Sequence, residues 1–147
     1  IICEINYSYK DQFISIKIKL QEKGKIQYHF RLTGITACPC SKEMVGIGHM
    51  QRAILTTVIV SSKILDFDEV AEKMCGCFST VPKEYLNREN EGEKIREAQA
   101  KPRFAEDVVR ECIVRFPNIT SIQVRSLESI HLHDAIAYWN KKINNDK

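Results

Sequence analysis

From Ile14 to Leu20 the chain reads ISIKIKL, apolar and polar residues alternating with period two, the pattern of a strand with one buried face. The same reading covers ICEINYSY before it and KIQYHFRLTGIT after the turn signal EKGK, which is centred on Gly24. RAILTTVIVSS, Arg52 to Ser62, is a β-branched run and predicts a further strand with HMQR at its entrance. Then the period lengthens. DFDEVAEKMCGCF offers Asp66 or Asp68 as an N-cap ahead of apolar residues at helical spacing, and RFAEDVVRECIVRF repeats the pattern after Pro102, so two amphipathic helices are predicted. Between them STVPKEYLNRENEGEKIREAQAK is polar and acid-rich, and loop, frayed helix and ordered active-site segment all fit it. NITSIQVRSLESIHLHDAIAYW returns to alternation and predicts one or two closing strands. The order β, αα, β predicts an α+β fold, an antiparallel sheet with two helices packed on one face.

Composition narrows this picture. A chain of 147 residues suits a single domain, 1–147, and 44% hydrophobic with 28% charged residues is ordinary for a globular protein. No apolar run approaches the roughly 20 residues of a membrane span, so no membrane partner is expected. The net charge of +3 is mild and its cations are dispersed among acids, which argues against nucleic acid and for a small anionic ligand. The chain opens on IICEINYSY without Met or a secretory pattern, so we expect a cytoplasmic protein and the C-terminal part of something longer. In that setting the six cysteines are expected to be reduced thiols: ligands, nucleophiles or core residues.

Two segments concentrate reactive side chains. In GITACPCSKEMVGIGHMQR, Pro39 suits the end of a strand, Cys38 and Cys40 flank it, and His49 follows. A thiolate and an imidazole brought together there could share Zn²⁺ or Fe²⁺, and inert buried thiols fit the spacing equally. In ESIHLHD, His131 and His133 would share one face of a regular strand, whereas Glu128 and His131 would oppose each other unless a bulge or strand end intervened. All the histidines except His29 fall in these two segments. Cys75 and Cys77 cannot both face one ligand on a helix and are expected to pack. Glu106 and Asp107 open the second helix, where negative charge suits the dipole, and Glu91, Glu93 and Glu97 fit a solvated acidic stretch.

Taken in order, GITACPC, HMQR, KPRFAEDVVRE and ESIHLHDA resemble the GTP cyclohydrolase IB family, especially its archaeal members of methanopterin synthesis. The motifs run from Gly34 to Ala135, about two-thirds of the chain. The resemblance implies the tunnelling fold, whose antiparallel sheets with two helices assemble as homo-oligomers into barrels with sites between subunits. It implies Cys38, His49 and His131 as ligands of one divalent metal, Fe²⁺ or Zn²⁺ with Mn²⁺ also compatible. Glu128, His133 and Glu91 (or its neighbour Glu93) are then the candidate catalytic groups. Glu106 matches a glutamate that anchors the guanine edge, and Lys42, Arg52 and Arg125 are candidate triphosphate partners. The implied reaction is metal-assisted hydrolysis of GTP at C8 with loss of formate, giving a dihydroneopterin cyclic phosphate. Alternatives are a bacterial-type enzyme making dihydroneopterin triphosphate, a nitrile-processing enzyme of the same fold with a cysteine nucleophile, and a non-catalytic module closed around zinc.

Overall fold

The computed structural model describes residues 1–142. Six strands, β1 (Ile2–Tyr9), β2 (Gln12–Leu20), β3 (Ile26–Ala37), β4 (Met50–Ser61), β5 (Ile119–Ser126) and β6 (Ala135–Asn140), form one sheet in sequence order. Every neighbouring pair is antiparallel. Helix α1 (Pro39–Val45) leaves the sheet between β3 and β4, while α2 (Phe67–Cys75), α3 (Arg88–Ala100) and α4 (Ala105–Arg115) lie between β4 and β5.

The alternation in the sequence decides which face is covered. One register row, Ile5–Ile16–Phe30–Thr57–Ile122–Trp139, crosses all six strands and is almost wholly apolar. The adjacent row, Asn6–Ser15–Arg31–Thr56–Gln123–Tyr138, points the other way and is mostly polar. Against the apolar face, α2 brings Val70, Ala71 and Met74, and α4 brings Ala105, Val108, Val109 and Cys112, into one buried cluster with Tyr28, Phe30, Leu55 and Val124. Each fully buried aliphatic side chain contributes about 1.5–3 kcal/mol, so this face holds the fold together. Asp66, rather than Asp68, caps α2, accepting the N–H groups of Asp68 at 2.9 Å and Glu69 at 3.3 Å.

The α+β architecture and both amphipathic helices are as the periodicity predicts, and the closing segment resolves into two strands. Strand β4 starts at Met50, two residues ahead of the β-branched run, and two further helices appear. Helix α1 buries none of its residues and α3 buries only Ala98, so neither carries an apolar stripe. Helix α3 is held by polar contacts instead. Asn87 accepts the Asn90 N–H at 2.8 Å, and the Glu97 carboxylate accepts from Thr80 Oγ1 at 2.8 Å and Lys94 Nζ at 2.6 Å. Burial is the largest influence on Glu97 and raises its pKa, but these two hydrogen bonds and the nearby cations together hold it below the usual carboxylate range. Among the described residues no helix is long and apolar enough to cross a membrane.

Candidate metal centre

Strand β3 ends at Ala37, and Pro39, which has no N–H to continue the ladder, occupies the first position of α1, where that loss is harmless. Seven residues later Gly46 takes the left-handed conformation, φ 81°, and its N–H returns to Lys42 O, ending the helix. The excursion closes at its neck. Cys38 N–H donates to His49 O at 2.9 Å, one step beyond the Ala37–Met50 pair that ends the β3–β4 ladder. Gly48 fits between because a Cβ there would stand 2.6 Å from Cys38 O. His49 is therefore fixed to the strand end that bears Cys38.

Further hydrogen bonds set its position. Ser41 Oγ accepts the His49 backbone N–H at 3.0 Å. The Gln99 side chain, from α3, accepts Gly48 N–H and donates to Gly48 O, each at 2.8 Å, and Lys42 Nζ donates to Gln99 O. On the imidazole, Nδ1 lies 2.9 Å from Gln51 Oε1 and 3.3 Å from Ser129 Oγ. Donation of Nδ1–H to the amide oxygen leaves Nε2 with its lone pair, the arrangement that orients a metal-binding histidine.

The other half comes from the end of β5. Leu127 N–H donates to Arg52 O at 2.8 Å, and beyond it residues 127–134 run as an irregular loop. Ser126 Oγ donates to Glu128 Oε1 at 2.8 Å, and Arg125 pairs with Asp134 at 2.6 Å across the loop's base. Because the strand has ended, Glu128 and His131 no longer point to opposite sides. One ligand atom each from His49, Glu128 and His131 lies within 4.8 Å of the others. The His49 and His131 rings meet edge to face with centroids 6.2 Å apart, and His133 lies beside His131 at 5.5 Å.

Two imidazoles and a carboxylate are a donor set that divalent metals accept while keeping a position open for water. Donors around one ion at bonds of about 2.1 Å sit within about 4.2 Å of each other, so a small contraction of the trio suffices. Among the described residues Cys38 is not in this group; it is tied to His49 through the backbone, and Cys40 is exposed on α1. Glu91 and Glu93 are exposed on α3, and Glu106 is exposed in the first turn of α4. Lys42 is half-buried with its ammonium on the Gln99 carbonyl, Arg52 is exposed, and Arg125 is committed to Asp134. Gln51, Gln99, Ser41, Ser126 and Ser129 escaped the reading of the sequence; Gln51 alone carried a signal, inside HMQR.

The family model described as "Type I GTP cyclohydrolase folE2" matches residues 3–137. Among curated proteins, the GTP cyclohydrolase FolE2 of Citrifermentans bemidjiense is 39% identical over 106 residues, 68% of this chain and 40% of that protein. The GTP cyclohydrolase FolE2 of Kosmotoga olearia is 37% identical over 140 residues, 91% of this chain and 53% of that protein. That of Dictyoglomus turgidum is 38% identical over 117 residues, 73% and 46% respectively. The chain thus spans about half the length of the curated relatives it matches. The matched region includes the CPC turn, FAED, and the HMQR and ESIHLH segments whose His49, Glu128 and His131 converge here, and the chain belongs to the type I GTP cyclohydrolase FolE2 family.

Proposed function

We propose that this chain forms part of a metal-dependent GTP cyclohydrolase that opens the guanine ring at C8 and releases formate. The observation that carries the reading is the convergence of His49, Glu128 and His131 beside the strand end bearing Cys38. Those three side chains hold the ion, and Cys38 adds a thiolate. A divalent ion so held lowers the pKa of bound water and polarises the bond under attack. Fe²⁺, Zn²⁺ and Mn²⁺ all suit imidazole and carboxylate donors.

With Glu128 drawn into the ligand set, His133 is the group left to carry a proton at the opening ring, and Glu91 approaches from α3 as the second acid. The Glu106 carboxylate accepts two parallel N–H bonds from the guanine edge. Arg52, which has no ion pair among the described residues, meets the phosphates. Lys42 joins it only by giving up the Gln99 carbonyl. Among the described residues the sheet leaves β1 and β6 as open edges, which supports a homo-oligomer built by sheet extension, with sites between subunits, and we place it in the cytoplasm. The domain, 1–147, is then one tunnelling-fold unit of a longer chain.

Two products fit. GITACPC favours the archaeal-type cyclic phosphate, and the alternative is the bacterial-type dihydroneopterin triphosphate. Anaerobic incubation of the assembled protein with GTP and Fe²⁺, Zn²⁺ or Mn²⁺ in turn tests the reading. Formate release is expected, and phosphate analysis of the pterin separates the products. No formate with any of the three metals, or an ion whose coordination is closed with no position left for water, overturns it in favour of a binding module.

A further inference from the structure

Away from the metal centre, the turn after α2 and the inner face of α4 bring two buried thiols together. Cys77 and Cys112 are both inaccessible to solvent, and the Cys112 thiol donates to Cys77 Sγ at 3.3 Å. Neither has a part in the proposed chemistry. Their surroundings are basic: Arg103 Nη1 donates to Cys77 O at 2.6 Å, Lys101 Nζ donates to Gly76 O at 2.8 Å, and Arg115 lies within reach of the thiol's charge. Glu111, paired with Arg103 at 3.1 Å and Arg115 at 3.0 Å, is the acid facing this group. The Cys77 thiol donates to Lys73 O at 3.2 Å, and Arg115 and Arg103 favour its thiolate while burial and Glu111 oppose it.

We propose that Cys77 and Cys112 are a reversible dithiol–disulfide pair, closed by a peroxide-class oxidant, that clamps the end of α2 to α4. When local opening of the turn after α2 admits the oxidant, the Cys77 thiolate attacks one peroxide oxygen, cleaving the O–O bond and giving the sulfenic acid and hydroxide. Cys112 sulfur then displaces the sulfenic oxygen as water, its proton leaving with that water. In sum two thiols and one hydrogen peroxide give one disulfide and two waters. The sulfurs must close from 3.3 Å to about 2.05 Å, a movement within reach of two elements already packed together.

The assignment of roles follows from the environment. The hydrogen bond from Cys112 holds the Cys77 thiol below its ordinary pKa, outweighing burial, while the same bond and burial push Cys112 far up. Cys75, two residues from Cys77, is pushed up to about 11 by burial and is a poor nucleophile. The closed bond would enclose α3 and the Arg103 segment in a covalent loop. Arg103 N–H also donates to Ala37 O at 2.9 Å, so the clamped segment reaches the strand end that precedes Cys38.

The test compares the chain treated with a small excess of hydrogen peroxide with the chain kept in dithiothreitol, by non-reducing peptide mass mapping and limited proteolysis. A cross-linked peptide joining Cys77 to Cys112, lighter by two hydrogens and reversed by dithiothreitol, is expected, together with slower cleavage within α3. Cys112→Ala should abolish both changes. In the wild-type chain, peroxide that oxidises the exposed Cys3 and Cys40 while Cys77 and Cys112 stay reduced, or that takes Cys77 to the sulfinic acid without a cross-link, overturns the pair. A cross-link without protection of α3 overturns the clamp. None of these readouts depends on cyclohydrolase activity.

Discussion

Gln99 grips Gly48 by both of its backbone polar groups, its Oε1 accepting the N–H and its Nε2 donating to the carbonyl, each at 2.8 Å. Gln99 belongs to α3, and Gly48 is the residue before His49. A helix with almost no apolar contact thereby sets the position of a candidate ligand. Replacing Gln99 with Leu leaves two part-buried backbone groups unpaired, at a cost of about 1–3 kcal/mol for each in urea unfolding. If the grip also orients His49, Zn²⁺ affinity should fall by roughly 10-fold to 100-fold in a competitive titration. Unchanged metal affinity in a destabilised variant would reduce Gln99 to a structural latch.

Two glycines beside it separate conformation from space. Gly46 has φ 81° with nothing near a Cβ, so Gly46→Ala meets only the left-handed strain, about 1–2 kcal/mol. A Cβ on Gly48 would stand 2.6 Å from Cys38 O and 3.1 Å from Cys38 N, both backbone atoms that cannot swing aside. Gly48→Ala should therefore open the Cys38–His49 neck and lower metal affinity, while Gly46→Ala lowers the unfolding midpoint and leaves affinity nearly intact. Equal affinities for the two variants would show that the neck is not what holds His49.

Metal binding and substrate binding should also divide cleanly. His49→Ala, Glu128→Gln and His131→Ala each remove one of three donors and should lower metal content after dialysis against buffer without chelator. Glu106→Gln keeps the shape of α4's first turn and should leave metal content unchanged while raising KM for GTP, because an amide cannot accept both guanine N–H bonds. Cys38→Ser is the informative member of the set. Retention of metal by that variant confines the site to the two imidazoles and the carboxylate; loss makes the thiolate a fourth ligand.

What could be read from the sequence follows from how each element is stabilised. Strands β2 to β4 bury one face, so their alternation was visible, and α2 and α4 carry apolar stripes that announce themselves at helical spacing. Helix α1 is seven residues with nothing buried, and its only marks are Pro39 at one end and Gly46 at the other. Helix α3 is held by Asn87, Glu97 and Gln99 rather than by a hydrophobic face, and periodicity is silent about such contacts. His49 and His131 stood out by residue type. Glu128 joining them depended on β5 ending at Ser126, a boundary that alternation alone does not mark. The partnership of Cys77 with Cys112 likewise depends on how α2 and α4 cross.

The helix-free face carries the last prediction. His29 sits on β3 between Lys17 of β2 and Val58 of β4, and its Nε2 is buried with no hydrogen-bond partner among the described residues. Burial, then Lys19 and Lys17, hold its pKa below the ordinary 6.5. The unfolded chain takes up this proton near its ordinary pKa, the folded chain only at lower pH, so between the two values the unfolded state binds more protons. Stability should fall as pH falls through that window. Glu97 and Glu111, whose pKa values are also depressed, begin from 4.5 and lose their contributions at lower pH, outside the window. Urea unfolding at about pH 7.5 and about pH 5.5 should therefore show a smaller loss for His29→Gln than for the wild-type chain. The variant should differ least from wild type at the higher pH in this pH-dependent component, and parallel pH dependences would exclude His29 as its source.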